Sequence, residues 1–174
     1  MLGDAQELPF DDARFDRVLS AFGVMFAPDQ ARAAGELLRV CKPGGILGLA
    51  NWTPEGAIGE LFRITARYAQ APSDLPSPLG WGTESGLREL FGSRLSAPRF
   101  RRLHVVEYFH SPGHALQIFR TLFGPVRTTF EALPEPAQHE MAEEIRHHFS
   151  ANNVATNGTL ACSLEYLEVI AEVR

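Results

Sequence analysis

The sequence has only two cysteines among its 174 residues, and it has no apolar run of about 18 residues, the length that a membrane-spanning helix needs. Cys41 and Cys162 are isolated, so they indicate neither a disulfide framework nor a zinc site. Both are expected to be small buried hydrophobic residues. The first residues carry no signal-like segment, so a cytoplasmic protein that does not enter a membrane is expected.

Basic runs are also missing, and the 16 Lys and Arg against 21 Asp and Glu give a net charge of −5 at pH 7. Arg99, Arg101 and Arg102 cluster, but three arginines beside a strand are typical of a solvated edge. A nucleic acid is therefore not expected as a partner. The sequence does have apolar bulk, with 45% hydrophobic and 10% aromatic residues, which predicts a single domain over residues 1–174.

A strand–helix–strand pattern lies near the start of the chain. Residues 15–22 form a short apolar run, typical of a strand that is covered on both faces. Asp29 then opens a helix whose apolar residues recur at three- and four-residue spacing, and Lys42-Pro43-Gly44-Gly45 is expected to end it. A second apolar run, residues 46–52, follows at once. The pattern predicts a βαβ unit with parallel strands.

The rest of the chain predicts further helices and strands around one proline- and glycine-rich loop, residues 71–82. Three of the helices fall between the last two strands and form a helical insertion at about residues 112–150. The expected helices are residues 56–69, 83–91, 112–123, 125–133 and 135–149, and the expected strands are residues 100–109 and 160–173.

The first third of the chain contains a specific series of sequence motifs. Its motifs, in order, are Gly3-Asp4-Ala5, Leu8-Pro9-Phe10, Phe15-Asp16, residues 36–40 and Lys42-Pro43-Gly44-Gly45. This order resembles class I S-adenosylmethionine-dependent methyltransferases, in particular their small-molecule, methyltransferase type 11-like branch. The resemblance is close over residues 3–56 and looser to the C-terminus, where residues 160–173 resemble the family's last, antiparallel strand. It implies an α/β, Rossmann-like methyltransferase sheet.

The resemblance also implies a cofactor, S-adenosylmethionine, and residues that would bind it. Asp4 would accept a hydrogen bond from the adenine amino group, since a carboxylate is an acceptor. The spacing alone makes Asp4 a turn residue after Gly3, and this alternative stays open. The other implied cofactor contacts are Ala5 and Gln6 through their backbone, with Ser20, Ala21 and Phe22 on the methionine side.

The acceptor would be a small molecule. Met25, Phe26 and Trp52 are candidate walls of an apolar pocket, with plain core packing as the alternative. Trp81, in the proline- and glycine-rich loop, is expected to be exposed and could belong to a lid. His110 and His114 flank a strand-to-helix turn and are the candidates for a general base, with a surface or capping role as the alternative.

The family's glycine-rich loop and the acidic residue of its second strand have no counterpart in the sequence and are expected upstream. The sheet would then be incomplete, the strand at residues 15–22 would be an open edge that favours a homodimer, and this chain alone would bind the cofactor weakly. The first interpretation is the C-terminal part of a small-molecule methyltransferase. The second is a non-catalytic remnant that acts as a dimerisation or partner-binding module. The third is an unrelated α/β protein that shares only the Pro-Gly-Gly turn.

Overall fold

The computed structural model describes residues 2–69 and 75–174. Within them, four strands form one open sheet in the order β1-β2-β4-β3, with helices between the strands. The strands are β1 (Phe15–Ala21), β2 (Cys41–Trp52), β3 (Leu95–Phe109) and β4 (Leu160–Val173). The helices are α1 (Gln30–Val40), α2 (Ala57–Tyr68), α3 (Glu84–Phe91), α4 (Pro112–Leu122), α5 (Gly124–Ala132) and α6 (Glu135–Ala151), with 3-10 turns at Val24–Phe26, Pro78–Gly82 and Gly92–Arg94.

The predicted βαβ unit is confirmed. β1 and β2 are parallel, with Val18 opposite Leu47 and Ser20 opposite Leu49. α1 begins after Asp29, whose carboxylate accepts a hydrogen bond from the Arg32 N–H at 2.9 Å, as a helix N-cap does.

β2 begins at Cys41, earlier than the predicted start of this strand at residue 46. The register shifts here, since Phe15 lies opposite Cys41 and Arg17 lies opposite Ile46, so the intervening Pro-Gly-Gly segment is a bulge within the strand. A side-chain carbon at Gly45 would come within 2.8 Å of the Cys41 sulfur, so the bulge needs glycine there. Lys42-Pro43-Gly44-Gly45, which was predicted to end the helix, is thus part of β2.

The second half of the sheet is antiparallel. β2 pairs with β4, with Trp52 opposite Tyr166. β3 also runs antiparallel to β4, because the Arg174 N–H donates to the Arg94 carbonyl at 3.0 Å while Arg101 donates to Glu168 at 2.8 Å. β1 and β3 are therefore the outer strands of the sheet in the part of the chain that the structure describes. β3 starts at Leu95, five residues earlier than the predicted strand, although Pro98 lies within it.

The chain divides into two compact units. The first consists of Met1–Pro54, Asp74–Leu103 and Tyr166–Arg174, and the second of Glu55–Ser73 and His104–Glu165. In the first unit, α1 packs on β2 and α3. In the second, α6 packs on α2 and α4, and the rings of Phe119 and Phe149 lie 5.1 Å apart in its core. The single-domain assignment stays a prediction.

Several smaller expectations have outcomes. The helical insertion before the last strand is confirmed as α4–α6. Cys41 and Cys162 are free and buried, as predicted. Residues 70–74 of the segment around the predicted loop lie outside the described residues, and the remainder contains the 3-10 turn Pro78–Gly82. In the described residues, no helix has both the length and the apolar character of a membrane span.

Candidate functional site

An aromatic cluster lies at the carboxyl ends of the two parallel strands. Phe22 follows β1, and its ring stacks on that of Trp52, the last residue of β2, with centroids 3.9 Å apart and planes at 15°. The ring of Tyr166 meets Phe22 edge-on at 5.4 Å. The sequence analysis missed Tyr166, because only the antiparallel register of β4 brings it opposite Trp52.

The backbone at Phe22 is unusual. Its φ is +55°, in the left-handed region that a bulky residue adopts only when the surrounding structure holds it there. The Phe22 N–H donates to the Ala50 carbonyl at 2.8 Å, which continues the strand pairing past the end of β1. This strained conformation directs the ring over Trp52 at the edge of the sheet where open α/β folds bind ligands.

Ser20 and Ala21 precede Phe22 on β1. The Ser20 hydroxyl oxygen accepts a hydrogen bond from the Val24 N–H at 3.1 Å, so it caps the 3-10 turn that carries Met25 and Phe26. A hydroxyl that accepts one hydrogen bond keeps its own proton to donate. Ala21 is exposed.

Asp4 lies in a tight turn with Gln6. Its carboxylate accepts hydrogen bonds from the Gln6 N–H at 2.8 Å and from the Gln6 side-chain amide at 3.2 Å. The hydrogen bond from the Gln6 backbone lowers the pKa of Asp4, so the exposed carboxylate stays ionised. Gln6 in turn accepts from the Asp29 N–H at 2.7 Å, which ties the turn to the start of α1. Ala5 lies between them and is partly buried. Asp4 is therefore a turn residue that also presents a charged acceptor to solvent.

A clamp of two charged residues on α1, Glu36 and Arg39, holds the loop that follows Asp4. Glu36 accepts from the Leu8 N–H at 2.6 Å and from Arg39 at 2.6 Å. Arg39 also donates to the carbonyls of Leu8 at 3.0 Å and Phe10 at 2.7 Å, and it pairs with Asp12 at 2.8 Å. These bonds, first that from Arg39, lower the pKa of Glu36 to about 2. The i, i+3 spacing of a Glu and an Arg was the available sequence signal for the clamp.

The candidate pocket walls differ in exposure. Met25 is fully buried, Trp52 is buried, and Phe26 is 37% exposed. The prediction that Trp81 is exposed is wrong, since its side chain is 0% exposed and packs edge-on against Phe91 at 5.8 Å. The reason lies in Gly82, which lets the turn Pro78–Gly82 lie directly on the end of β2.

Gln30 and an unpaired amide complete this region. The Gln30 side-chain amide donates to the carbonyls of Pro76 and Ser77, at 3.3 and 3.0 Å, which fixes the start of the turn on α1. The side-chain oxygen and nitrogen of Asn51 and the indole nitrogen of Trp81 are buried, and none has a hydrogen-bond partner in the described residues. A buried polar group without a partner costs about 1–3 kcal/mol. Asn51 therefore joins the candidate site, beside Trp52 at the end of β2.

His110 and His114 lie in the second unit. The His110 N–H donates to the His114 Nδ1 at 3.3 Å, and the rings of the exposed His110 and the partly buried His114 are 4.8 Å apart. The Ser111 hydroxyl accepts from the His114 N–H at 3.1 Å and caps α4. In the described residues, no group of three or more His, Cys, Asp or Glu side chains is placed to hold a metal ion. The role of the two histidines as a general base stays a prediction.

Comparisons with known proteins concern the family and the fold. Residues 1–49 match the family model described as a methyltransferase domain. An uncharacterized protein of Mycobacterium tuberculosis is 37% identical over 134 residues, which are 76% of this chain and 49% of that protein. A demethylmenaquinone methyltransferase of Thermus thermophilus is 44% identical over 63 residues, which are 35% of this chain and 29% of that enzyme. The chain thus spans about half the length of the first of these relatives.

The structural comparison concerns the fold. A solved structure from Bacillus halodurans, of a protein classed as a methyltransferase, superposes with a TM-score of 0.56 at 17% identity, over 98% of this chain and 69% of that one. The likeness confirms the predicted Rossmann-like α/β fold. The resemblance stated for residues 3–56 is confirmed by the match over residues 1–49.

Proposed function

We propose that this chain belongs to the methyltransferase family whose model its first 49 residues match, and that it forms part of an enzyme that methylates a small molecule with S-adenosylmethionine as methyl donor. The observation that carries the proposal is the strained Phe22 stacked on Trp52, at the carboxyl ends of parallel β1 and β2. Ligands bind open α/β sheets at this edge. Residues held in such strained conformations cluster at functional sites, which supports a ligand site at Phe22.

The residues present fit one part of the cofactor. The ionised, exposed Asp4 can accept from the adenine amino group, and the Glu36–Arg39 clamp holds the loop that follows it. S-adenosylmethionine supplies a methyl group on a positively charged sulfonium. Aromatic faces attract cations, so the cluster of Phe22, Trp52 and Tyr166 suits the methionine end of the site, beside Ser20 and Ala21.

The acceptor is proposed to lie against the partly exposed Phe26 and the ring of Trp52, with Met25 beneath them. Methyl transfer is an in-line displacement, so alignment of the acceptor with the methyl group supplies much of the rate. Apolar walls favour an acceptor with an apolar body. Trp81 enters this proposal only as a buried support, whose indole N–H remains available to a polar atom.

The open edge of the sheet at β1 supports the proposal that this activity needs a chain segment beyond the described residues. β1 has β2 as its one sheet neighbour there, and Leu19 on β1 is 77% exposed. An open, apolar edge strand is an association site. We therefore propose that a further segment of a longer protein covers β1 and completes the cofactor site, and that this chain alone binds S-adenosylmethionine weakly.

Calorimetry with S-adenosylhomocysteine tests the proposal. A protein extended to the length of the Mycobacterium tuberculosis relative should bind S-adenosylhomocysteine. Its Asp4→Ala variant should bind this ligand about tenfold more weakly, because a charged hydrogen bond is lost. Residues 1–174 alone should bind the ligand weakly or not at all. Arg14→Ala is a matched control on an exposed residue. Micromolar binding by residues 1–174 alone would contradict the need for a further segment. No binding by the extended protein would contradict the methyltransferase proposal itself.

A second candidate function is a non-catalytic module that pairs with another copy through β1, and the exposure of Leu19 is the observation that favours it. In that case Leu19→Lys should convert a dimer into a monomer in sedimentation velocity, while the extended protein should bind no cofactor.

Location in the cytoplasm also stays a prediction.

A further inference from the structure

The loop that joins α6 to β4 contains an asparagine–glycine pair, Asn157-Gly158. Both residues are exposed, and a side-chain carbon at Gly158 would meet nothing within 4 Å. The φ of Gly158 is +86°, in the left-handed region that glycine adopts without strain. The Gly158 N–H has no hydrogen-bond acceptor among the described residues. The backbone nitrogen that follows the Asn157 side chain is therefore open and unbonded.

The side-chain carbonyl of Asn157 is held by Thr159. Its Oδ1 accepts a hydrogen bond from the Thr159 N–H at 3.1 Å and another from the Thr159 hydroxyl at 2.6 Å. The first bond is common, because asparagine often accepts from the backbone two residues on. The second donor adds to it. Two donors on one carbonyl oxygen make its carbon more electrophilic, and they stabilise the negative charge that forms on the oxygen when a nucleophile adds.

The two residues can react with each other. Attack of the Gly158 nitrogen on the Asn157 Cγ closes a five-membered ring. The nitrogen loses its proton and bonds to Cγ, the bond from Cγ to Nδ2 breaks, and Nδ2 leaves as ammonia. Water then opens one of the two carbon–nitrogen bonds of this cyclic imide, which leaves aspartate or isoaspartate at position 157. No oxidant or reductant is needed, and water is the co-reactant.

A second asparagine in the same loop, Asn153, lacks the free groups. Its Oδ1 also accepts two hydrogen bonds, from the N–H groups of Ala155 and Ala161, both at 2.9 Å. The following residue is Val154, whose N–H donates to the Ala161 carbonyl at 2.9 Å and whose branched side chain is stiff. The Asn153 Nδ2 donates to the Thr159 carbonyl at 2.8 Å. The attacking and leaving nitrogens are thus both bonded, and Asn153 should stay intact.

We infer that Asn157 is a self-modification site, where the Gly158 backbone nitrogen displaces the side-chain amide and Thr159 stabilises the charge on the reacting oxygen. The inference does not depend on the methyltransferase proposal. All of its residues lie in the second unit, whereas Asp4, Phe22 and Trp52 lie in the first.

The modification changes the start of β4. Either product adds one negative charge to the net charge of −5. Aspartate keeps a side-chain oxygen in place for both donors of Thr159, so this form should retain the turn. Isoaspartate adds a main-chain carbon shortly before Leu160, the first residue of the strand, so this form should loosen the turn.

Ageing of the purified chain, followed by mass spectrometry of its peptides, tests the inference. At about pH 8, the wild type should accumulate aspartate and isoaspartate at position 157, while Asn152 and Asn153 should not change, and fragment ions assign each change to its residue. The modification should be slower at about pH 6, because the attacking nitrogen must lose its proton. Anion exchange should separate the aged protein as a more acidic form.

Substitutions in the loop separate the parts of the reaction. Thr159→Val keeps the N–H and removes the hydroxyl, so it should slow the modification about tenfold, less than in an enzyme because water partly replaces the lost donor. Thr159→Ser keeps the hydroxyl and should react within about threefold of the wild-type rate. Thr156→Val is the matched control, on an exposed threonine of the same loop, and should react as the wild type does. Asn157→Gln should abolish the modification at this position.

Three outcomes would overturn the inference. One is an aged wild-type protein in which Asn157 is unchanged. Another is Asn153 reacting as fast as Asn157, which would show that a free following nitrogen does not select the site. The third is a Thr159→Val protein, folded by circular dichroism, that reacts as fast as the wild type and so excludes the hydroxyl from the reaction.

Discussion

Gly82→Ala should destabilise the first unit by steric overlap alone. A side-chain carbon added at Gly82 would lie 1.9 Å from the carbonyl oxygen of Trp52, 2.7 Å from the carbonyl carbon of that residue and 2.9 Å from the Cα of Thr53. All three are backbone atoms, so no side-chain rotation can relieve the overlap. Either the end of β2 or the turn Pro78–Gly82 must move.

The same turn contains a matched control, Gly80, where an added carbon meets nothing within 4 Å. Overpacking of this kind costs about 3 kcal/mol, at the upper end of the usual range because the neighbours are backbone. At an open site, Gly→Ala instead stabilises by about 0.5 kcal/mol, since the unfolded chain loses freedom. The two variants should therefore change stability in opposite directions.

Urea unfolding followed by far-ultraviolet circular dichroism is the assay, with thermal unfolding as a second measure. Gly82→Ala should lower the free energy of unfolding by about 3 kcal/mol and the Tm by roughly 10 °C. Gly80→Ala should be equal to wild type or more stable. A Gly82→Ala protein within about 0.5 kcal/mol of wild type would refute the close approach of the turn to β2.

Three further predictions concern buried or clamped polar groups. His148 is 7% exposed and bonds the Ala57 carbonyl at 2.9 Å, and burial lowers its pKa. Its stabilising effect should therefore be present above about pH 6.5 and lost as the pH falls. Urea midpoints of the wild type and of His148→Gln at pH 8 and pH 5.5 measure this effect. Arg39→Ala should release the loop at Leu8, seen as faster limited proteolysis of residues 2–14 than in the Arg88→Ala control. Asn51→Leu should raise the free energy of unfolding by about 1–2 kcal/mol, because it removes unpaired buried atoms.

Each of these has a contrary result. The same loss of midpoint in acid for His148→Gln and wild type would show that other groups cause it. Equal cleavage of the Arg39 and Arg88 variants would show that the clamp does not hold the loop. A less stable Asn51→Leu protein would show that the amide has partners in solution.

The sequence predicted those parts of the fold whose causes are local. The face of α1, the Asp29 cap and the alternation of strands and helices depend on residues a few positions apart, and all are present. Boundaries set by pairing between distant residues were less accurate. β2 begins early because Cys41 pairs with Phe15 of β1 before the bulge, and β3 begins early although Pro98 lies within it.

The candidate site shows the same contrast between features with local causes and features that depend on distant residues. Asp4 and Phe22 were proposed from motif order and strand position, and their roles stay predictions. The burial of Trp81 was missed, because a proline- and glycine-rich segment usually lies on the surface, and only the contact of Gly82 with a strand thirty residues away in sequence reverses this. Tyr166 was missed because its place beside Trp52 depends on the register between two distant strands, which no local pattern records.

The two units differ in tryptophan content, so intrinsic fluorescence can follow the unfolding of one of them separately. Both tryptophans of the sequence, Trp52 and Trp81, fall in the first unit, whereas the second has Tyr68 and Tyr108 as its aromatic phenols. Indole emission therefore monitors the melting of one unit, while helix ellipticity is weighted toward the other, which contains α4–α6. Superimposable curves from the two signals would mean that the halves melt as a single cooperative block, and separated curves would mean that each melts on its own.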